Sequence, residues 1–171
     1  MISGIAWSDE PPGNDTPWVP ILSPKAGETL QAVSLDSSIL GVLTHYFSER
    51  TLPCYLDRTL CQGCSHGLAK RWKGYVSGWQ PSLGRFVLLE ITRQAFERAK
   101  PTLLTISDLR GYLLSITRQG RARNGSCVVD FRTWCLPEDP KLPRAFDTKA
   151  ALMRIWQRAL AFPPVPPESQ A

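Results

Sequence analysis

Three cysteines and a histidine, spaced His45-x8-Cys54-x6-Cys61-x2-Cys64, constrain this chain more than any other feature. A CxxC pair sets two sulfurs on one tight turn, each able to sit about 2.3 Å from a common ion. Three thiolates and one imidazole complete a tetrahedral shell, and a shell closed by four protein ligands is the structural kind of metal site. Soft sulfur donors favour zinc over magnesium or calcium. The spacing therefore predicts a loop over residues 45–66 pinned by one structural Zn2+ per chain through His45, Cys54, Cys61 and Cys64. His66 competes for the fourth position, but it follows Cys64 so closely that it must curl back sharply, whereas the chain returns past His45 at Cys54. The thiols can also be read as buried reduced cysteines or as a redox pair. A redox CxxC usually opens a helix after a strand, and this one sits between two strand-like runs. Cys127 and Cys135 have no matching knuckle and read as free core thiols.

The residues that follow the cluster are basic and aromatic. Residues 1–49 carry a net charge of −5, residues 50–132 carry +9 and residues 133–171 carry +1. A basic block of that kind suits a polyanionic partner, although charge alone is better read as a solvated surface. Aromatic rings beside the charge shift the expectation toward unpaired bases, each stacked base contributing about 1–3 kcal/mol. In KRWKGYVSGW a period of two puts Arg71, Lys73, Tyr75, Ser77 and Trp79 on one face and Trp72, Gly74 and Val76 on the other. The first face reads as a binding surface: Arg71 and Lys73 for phosphate, Tyr75 and Trp79 for bases. Arg85 opens the next strand within reach of the same groove, and the loop RQGRAR adds Arg118, Arg121 and Arg123. The competing reading packs Tyr75 and Trp79 into the core, where Trp134 and Trp156 are also candidates.

Along the chain, residues 1–23 read as an N-terminal arm rich in Pro, Gly and Asp. Apolar runs at 28–35, 39–47, 72–79, 85–91, 112–118 and 126–134 alternate with turn residues and predict six strands in three hairpins. Helices are expected over 92–100, stopped by Pro101, and over 147–162, stopped by Pro163. Residues 24–136 then form a mainly β domain of α+β class, an OB-like antiparallel barrel with the zinc loop inserted. Residues 137–162 form a C-terminal helical segment, available to cap the barrel or dock a partner, and 163–171 a Pro-rich tail. No run reaches the roughly 18 apolar residues that span a bilayer, and the N-terminus has no signal pattern. A cytoplasmic protein with reduced cysteines and no membrane partner is expected.

The stretches THYF, LPC, CQGC and RWKGYV, then LLEITRQAFERA and GYLLSITRQGRARNGSCVVDF, resemble the zinc-containing single-stranded-DNA-binding proteins of phages and related mobile elements. The likeness covers residues 24–133, and its specific part is the Cys/His set. It implies an OB barrel with a zinc-bearing insertion that coats single strands without catalysis in replication or recombination. The tail PPVPPESQA lacks the acidic run that recruits partners in that group, and the first 20 residues supply no basic arm. The expected function is thus non-catalytic binding of single-stranded DNA, or RNA. The alternative is a zinc-ribbon module that docks a protein. A zinc deaminase needs HxE, and neither His45 nor His66 has Glu two positions on.

Overall fold

The computed structural model describes residues 19–161 except Ser48, Leu56 and residues 121–124. Arg121, Arg123, the arm before Val19 and the Pro-rich tail therefore lie outside the described residues. The elements run β1 (Ile21–Leu22), β2 (Thr29–Ser34), β3 (Leu40–Phe47), β4 (Arg50–Pro53), α1 (Gln62–Ser65), β5 (Arg71–Gln80), β6 (Arg85–Thr92), α2 (Arg93–Leu103), β7 (Tyr112–Arg118), β8 (Cys127–Thr133) and α3 (Thr148–Ala161). All strands belong to one mixed sheet in which β1, β6, β5, β2, β7 and β8 are successive neighbours, while β3 joins β4 to β5. β1 runs parallel to β6, and the other pairs are antiparallel. The fold is mainly β with three helices, as an α+β composition requires.

The long strand β5 organises the rest. Its first half pairs with β3 from Leu40↔Tyr75 to Thr44↔Arg71, and its end pairs with β2 at Val33↔Trp79 and Ser34↔Gly78. β2 and β3 are therefore two parts of one path along β5, not the hairpin expected from Asp36-Ser37-Ser38. The reason is Asp36: its Oδ2 accepts the Ser77 amide at 2.7 Å and the Thr148 hydroxyl at 2.8 Å. A carboxylate committed to a neighbouring strand bends the chain without reversing it. The β5/β6 and β7/β8 hairpins form as the turn residues predict.

Each face of the sheet has its own core. On one, Ala32, Val76, Val87, Leu89, Leu114 and Ile116 pack with Ala95 and Ala99 of α2. The ring of Trp72 lies across Gly41 and Gly74 and against Phe96 at 4.8 Å; a Cβ at Gly41 would meet its Nε1 at 2.6 Å. On the other face, Tyr75 and Leu88 pack with Val19, Ala151, Leu152 and Trp156. Residues 19–22 thus belong to the domain, not to an arm, because Val19 and Ile21 supply apolar cover for this face. Trp156 is a core residue, whereas Trp134 is 44% exposed.

Thr92 caps α2 by accepting the Ala95 amide at 3.2 Å. The helix continues past Pro101 to Leu103, one turn beyond the stop expected there. Proline removes one amide, but Leu104 still donates to the Lys100 carbonyl at 3.0 Å, so the last turn survives. Arg110 ties the segment before α3 to the sheet by donating to the carbonyls of Pro137, Leu35 and Pro143 at 2.9, 3.0 and 2.9 Å. No helix among the described residues is long and apolar enough to cross a membrane.

Candidate metal centre and the cleft beside it

The hairpin β3/β4 and the single turn α1 build the cluster. His45 pairs with Leu52 across the hairpin, and the Cys54 amide donates to the Leu43 carbonyl at 2.8 Å, so strand register fixes two of the four groups. Cys61 is the N-cap of α1 and Cys64 lies within it, the turn being closed by the Ser65 amide on the Cys61 carbonyl at 2.9 Å. The ligand atoms of His45, Cys54, Cys61 and Cys64 all lie within 4.8 Å of one another. His66 is outside this group: its Nδ1 lies 2.8 Å from the Gln62 carbonyl and its ring rests on Phe47.

Two spacings inside the cluster match those of a metal shell. Ligands held tetrahedrally at ~2.3 Å for sulfur and ~2.05 Å for nitrogen lie about 3.8 Å apart for two sulfurs and about 3.6 Å for sulfur and nitrogen. The Cys54 and Cys64 sulfurs are 3.7 Å apart, and His45 Nε2 is 3.5 Å from the Cys64 sulfur. His45 is 1% exposed, and its Nδ1 has no hydrogen-bond partner among the described residues. An imidazole desolvated to that degree gains compensation from a metal bond at Nε2. The four residues fit a structural metal ion.

The thiols also explain why a cation belongs there. Burial opposes ionisation of Cys61, yet the Cys64 and Tyr55 amides and the neighbouring thiols bring it down to about 6. Cys64 is pushed up to about 11, by burial first and then by Cys61 and Cys54. Ionised sulfurs beside Cys64 thus oppose its ionisation. A metal ion removes that resistance and displaces the remaining protons.

Gly63 is required by a close approach. A Cβ there would sit 2.2 Å from His45 Cγ. The turn packs its backbone directly onto the histidine ring, which accounts for the glycine between the two cysteines; Gly67, with φ 66, supplies the left-handed exit.

Beside the cluster lies an open cleft of about 1090 Å³. Its walls come from the segment 23–26, from Thr44, His45, Tyr46, Glu49 and Thr51 of the hairpin, and from Arg71, Lys73 and Arg118. The Arg71 guanidinium sits 5.9 Å from the centre of the Tyr46 ring, within cation–π range. Tyr46 is 45% exposed. Lys73 forms an ion pair with Glu90, and Arg118 donates its Nε–H to the Pro24 carbonyl at 2.7 Å, which holds the 23–26 wall in place.

The expected binding face divides along β5. Arg71, Lys73 and Arg118 meet in the cleft. Tyr75 does not: it is fully buried, with its ring edge-on to Trp156 at 6.0 Å and its hydroxyl on Glu90 at 3.4 Å. Burial and the Glu90 carboxylate push the Tyr75 phenol up, so it stays a neutral donor. Trp79 is half-buried against Phe86 at 4.9 Å. The alternation along β5 is as read, but α3 and residues 19–22 cover Tyr75, and Trp79 packs against Val33, Leu35 and Leu142. Arg85 is not in the cleft either. It pairs with Gln80 at the far end of β5, roughly 30 Å along the strand from Arg71 at ~3.3 Å per residue.

No family model, curated protein or solved structure matches this chain. Its chemistry rests on the geometry above. Among the charged and aromatic residues of the cleft, sequence reasoning missed Lys25, Tyr46 and Glu49. Tyr46 was open to discovery, since it alternates with His45 on a strand and so faces away from the metal ligands.

Proposed function

We propose that this chain is a non-catalytic protein that binds single-stranded nucleic acid, DNA foremost, and that its cluster holds one structural zinc. One observation carries the reading: strand β3 supplies both the histidine of the cluster and a wall of the cationic cleft. A metal that fixes His45 and Cys54 fixes the hairpin, and the hairpin presents Tyr46 beside Arg71. A ring and several cations in one groove suit a base and its phosphates. Sulfur-rich donors at tetrahedral spacing support zinc, and four protein ligands leave no open position for a reacting group. Three thiols that must stay reduced suit the cytoplasm.

The connectivity supports an OB-like barrel. The interrupted strand β2/β3 pairs with β5 and β7, a helix joins β6 to β7, and β8 approaches β6 with Cα atoms within 8 Å. Among the described residues no ladder joins β8 to β6; there α2 packs with side chains of both strands.

A second reading, a zinc-ribbon module that docks a protein, is favoured by one feature. An apolar groove of about 630 Å³ separates Pro53, Tyr55 and Leu60 of the metal loop from Leu152 and Met153 of α3. Two measurements separate the readings. Elemental analysis is expected to give about one zinc per chain, and fluorescence anisotropy is expected to show labelled oligothymidine bound at low salt in preference to duplex. Zinc without oligonucleotide binding favours the docking module, and absence of metal removes both.

A further inference from the structure

One group in the cleft is unexplained by phosphate binding. Glu49 lines the same groove as Lys25, Arg71, Lys73 and Arg118, yet its carboxylate has no hydrogen bond or ion pair among the described residues. A free carboxylate repels the phosphates that the other groups attract. Its backbone is also unusual. Phe47 and Arg50 close the β3/β4 hairpin, and Glu49, just before Arg50, takes φ 62, the one positive φ of a non-glycine residue among the described residues. Glycine or asparagine relieves that conformation and glutamate does not. Glu49 is exposed and a short hairpin turn accounts for its φ, so its place is what matters: among the described residues it is the one carboxylate beside the cations that line the cleft.

We propose that Glu49 reads the pairing edge of an unpaired base seated by Tyr46, favouring bases that carry an amino group over thymine. This rests on the strand-binding reading above. Phosphates drawn toward Arg71 and Lys25 and repelled by Glu49 turn the bases toward the hairpin wall, where the Tyr46 ring is half exposed. A carboxylate only accepts hydrogen bonds. Guanine offers it two adjacent donors, a ring N–H and an amino group, and cytosine and adenine each offer an amino group. Thymine offers one N–H between two carbonyl oxygens, both of which repel the carboxylate. Acidic side chains accept from the cytosine amino group in duplex DNA by the same chemistry.

The test is an anisotropy titration at low salt with oligothymidine, with oligodeoxycytidine and with oligothymidine carrying guanines at its centre. The zinc-loaded protein is expected to bind the last two at least about fivefold more tightly than the first, from the low end of the range for one base contact. Glu49→Gln is expected to abolish this preference, since a carboxamide donates as well as accepts and so serves thymine equally. Glu49→Gly removes the carboxylate and the backbone strain together, so it is expected to lose the preference while raising the thermal midpoint. Equal affinity of the native protein for all three strands overturns the inference and leaves strand binding intact, as does a uniform gain across all three in Glu49→Gln. Failure to bind any strand overturns the strand-binding reading itself.

Discussion

Replacing Gly63 by alanine is expected to weaken zinc binding at the cluster sharply while leaving the sheet folded. The added methyl would lie 2.2 Å from His45 Cγ and 2.5 Å from Cδ2, far inside contact distance. His45 cannot withdraw freely, because its strand is paired with β4 on one side and its ring is 1% exposed. The turn carrying Cys61 and Cys64 must move instead, and its sulfurs leave the positions 3.5–3.7 Å from their neighbours that a tetrahedral ion requires. Overpacking of this kind costs roughly 1–3 kcal/mol in a core. Here the displacement falls on the ligands, so zinc affinity is expected to drop at least as far as on loss of an outer-shell partner, about 10–100-fold. Competition with a chromogenic chelator measures this, with far-UV circular dichroism to verify the sheet. The two cores contain neither Gly63 nor the cluster and are expected to persist. Unchanged zinc affinity in Gly63→Ala would mean that the turn and the histidine are not held together by a shared ion.

The second large effect is expected at the Tyr46–Arg71 pair. Tyr46→Ala removes the half-exposed ring of the cleft and is expected to weaken oligothymidine binding by about 1–3 kcal/mol, the range for one stacked base. Its salt dependence is expected to stay as in the native protein, since no cation is lost. Arg71→Ala removes a cation and the partner of that ring at 5.9 Å. It is expected to weaken binding and to reduce the slope of log K against log salt by about 0.7. Arg85→Ala is the control: the same charge is lost at the other end of β5, where its Nε–H is held by Gln80 at 2.8 Å. Salt titrations of the three variants distinguish a cleft from diffuse surface charge. If Arg85→Ala weakens binding as much as Arg71→Ala, the cleft is not the binding surface.

The parts of this protein that were legible in the sequence are those settled by neighbours along the chain. Twenty residues, from His45 to Cys64, contain the whole cluster, and spacing restricts which side chains can converge. The β5/β6 hairpin was equally local, because a Gly-containing turn separates two strand-like runs. What failed depended on distant segments. The alternation that put Arg71, Lys73, Tyr75 and Trp79 on one face was sound, but α3 begins 68 residues after Gln80 and covers only part of that face. No local pattern announces where a helix so far away will lie. Asp36 misled for a similar reason: a carboxylate between two apolar runs reads as a turn residue until its partner, the Ser77 amide, is known. Val19 and Ile21 sit beside a Pro-rich stretch that masks them, and their place in the fold appears only once Leu88 and Tyr75 need cover. Lys25 enters the cleft through Arg118, whose side chain holds the backbone of Pro24 from 94 residues away.

An ion bound by His45 and Cys54 stiffens the β3/β4 hairpin and with it one wall of the cleft. The coupling is read by titrating labelled oligothymidine into zinc-loaded protein, and into the same preparation after chelation under reducing conditions. Stripping the ion is expected to lower affinity at least about tenfold, the low end for loss of a metal site's support, and added zinc to restore it, while α2, α3 and the β5/β6 hairpin stay folded. Identical titration curves with and without the ion would contradict the coupling.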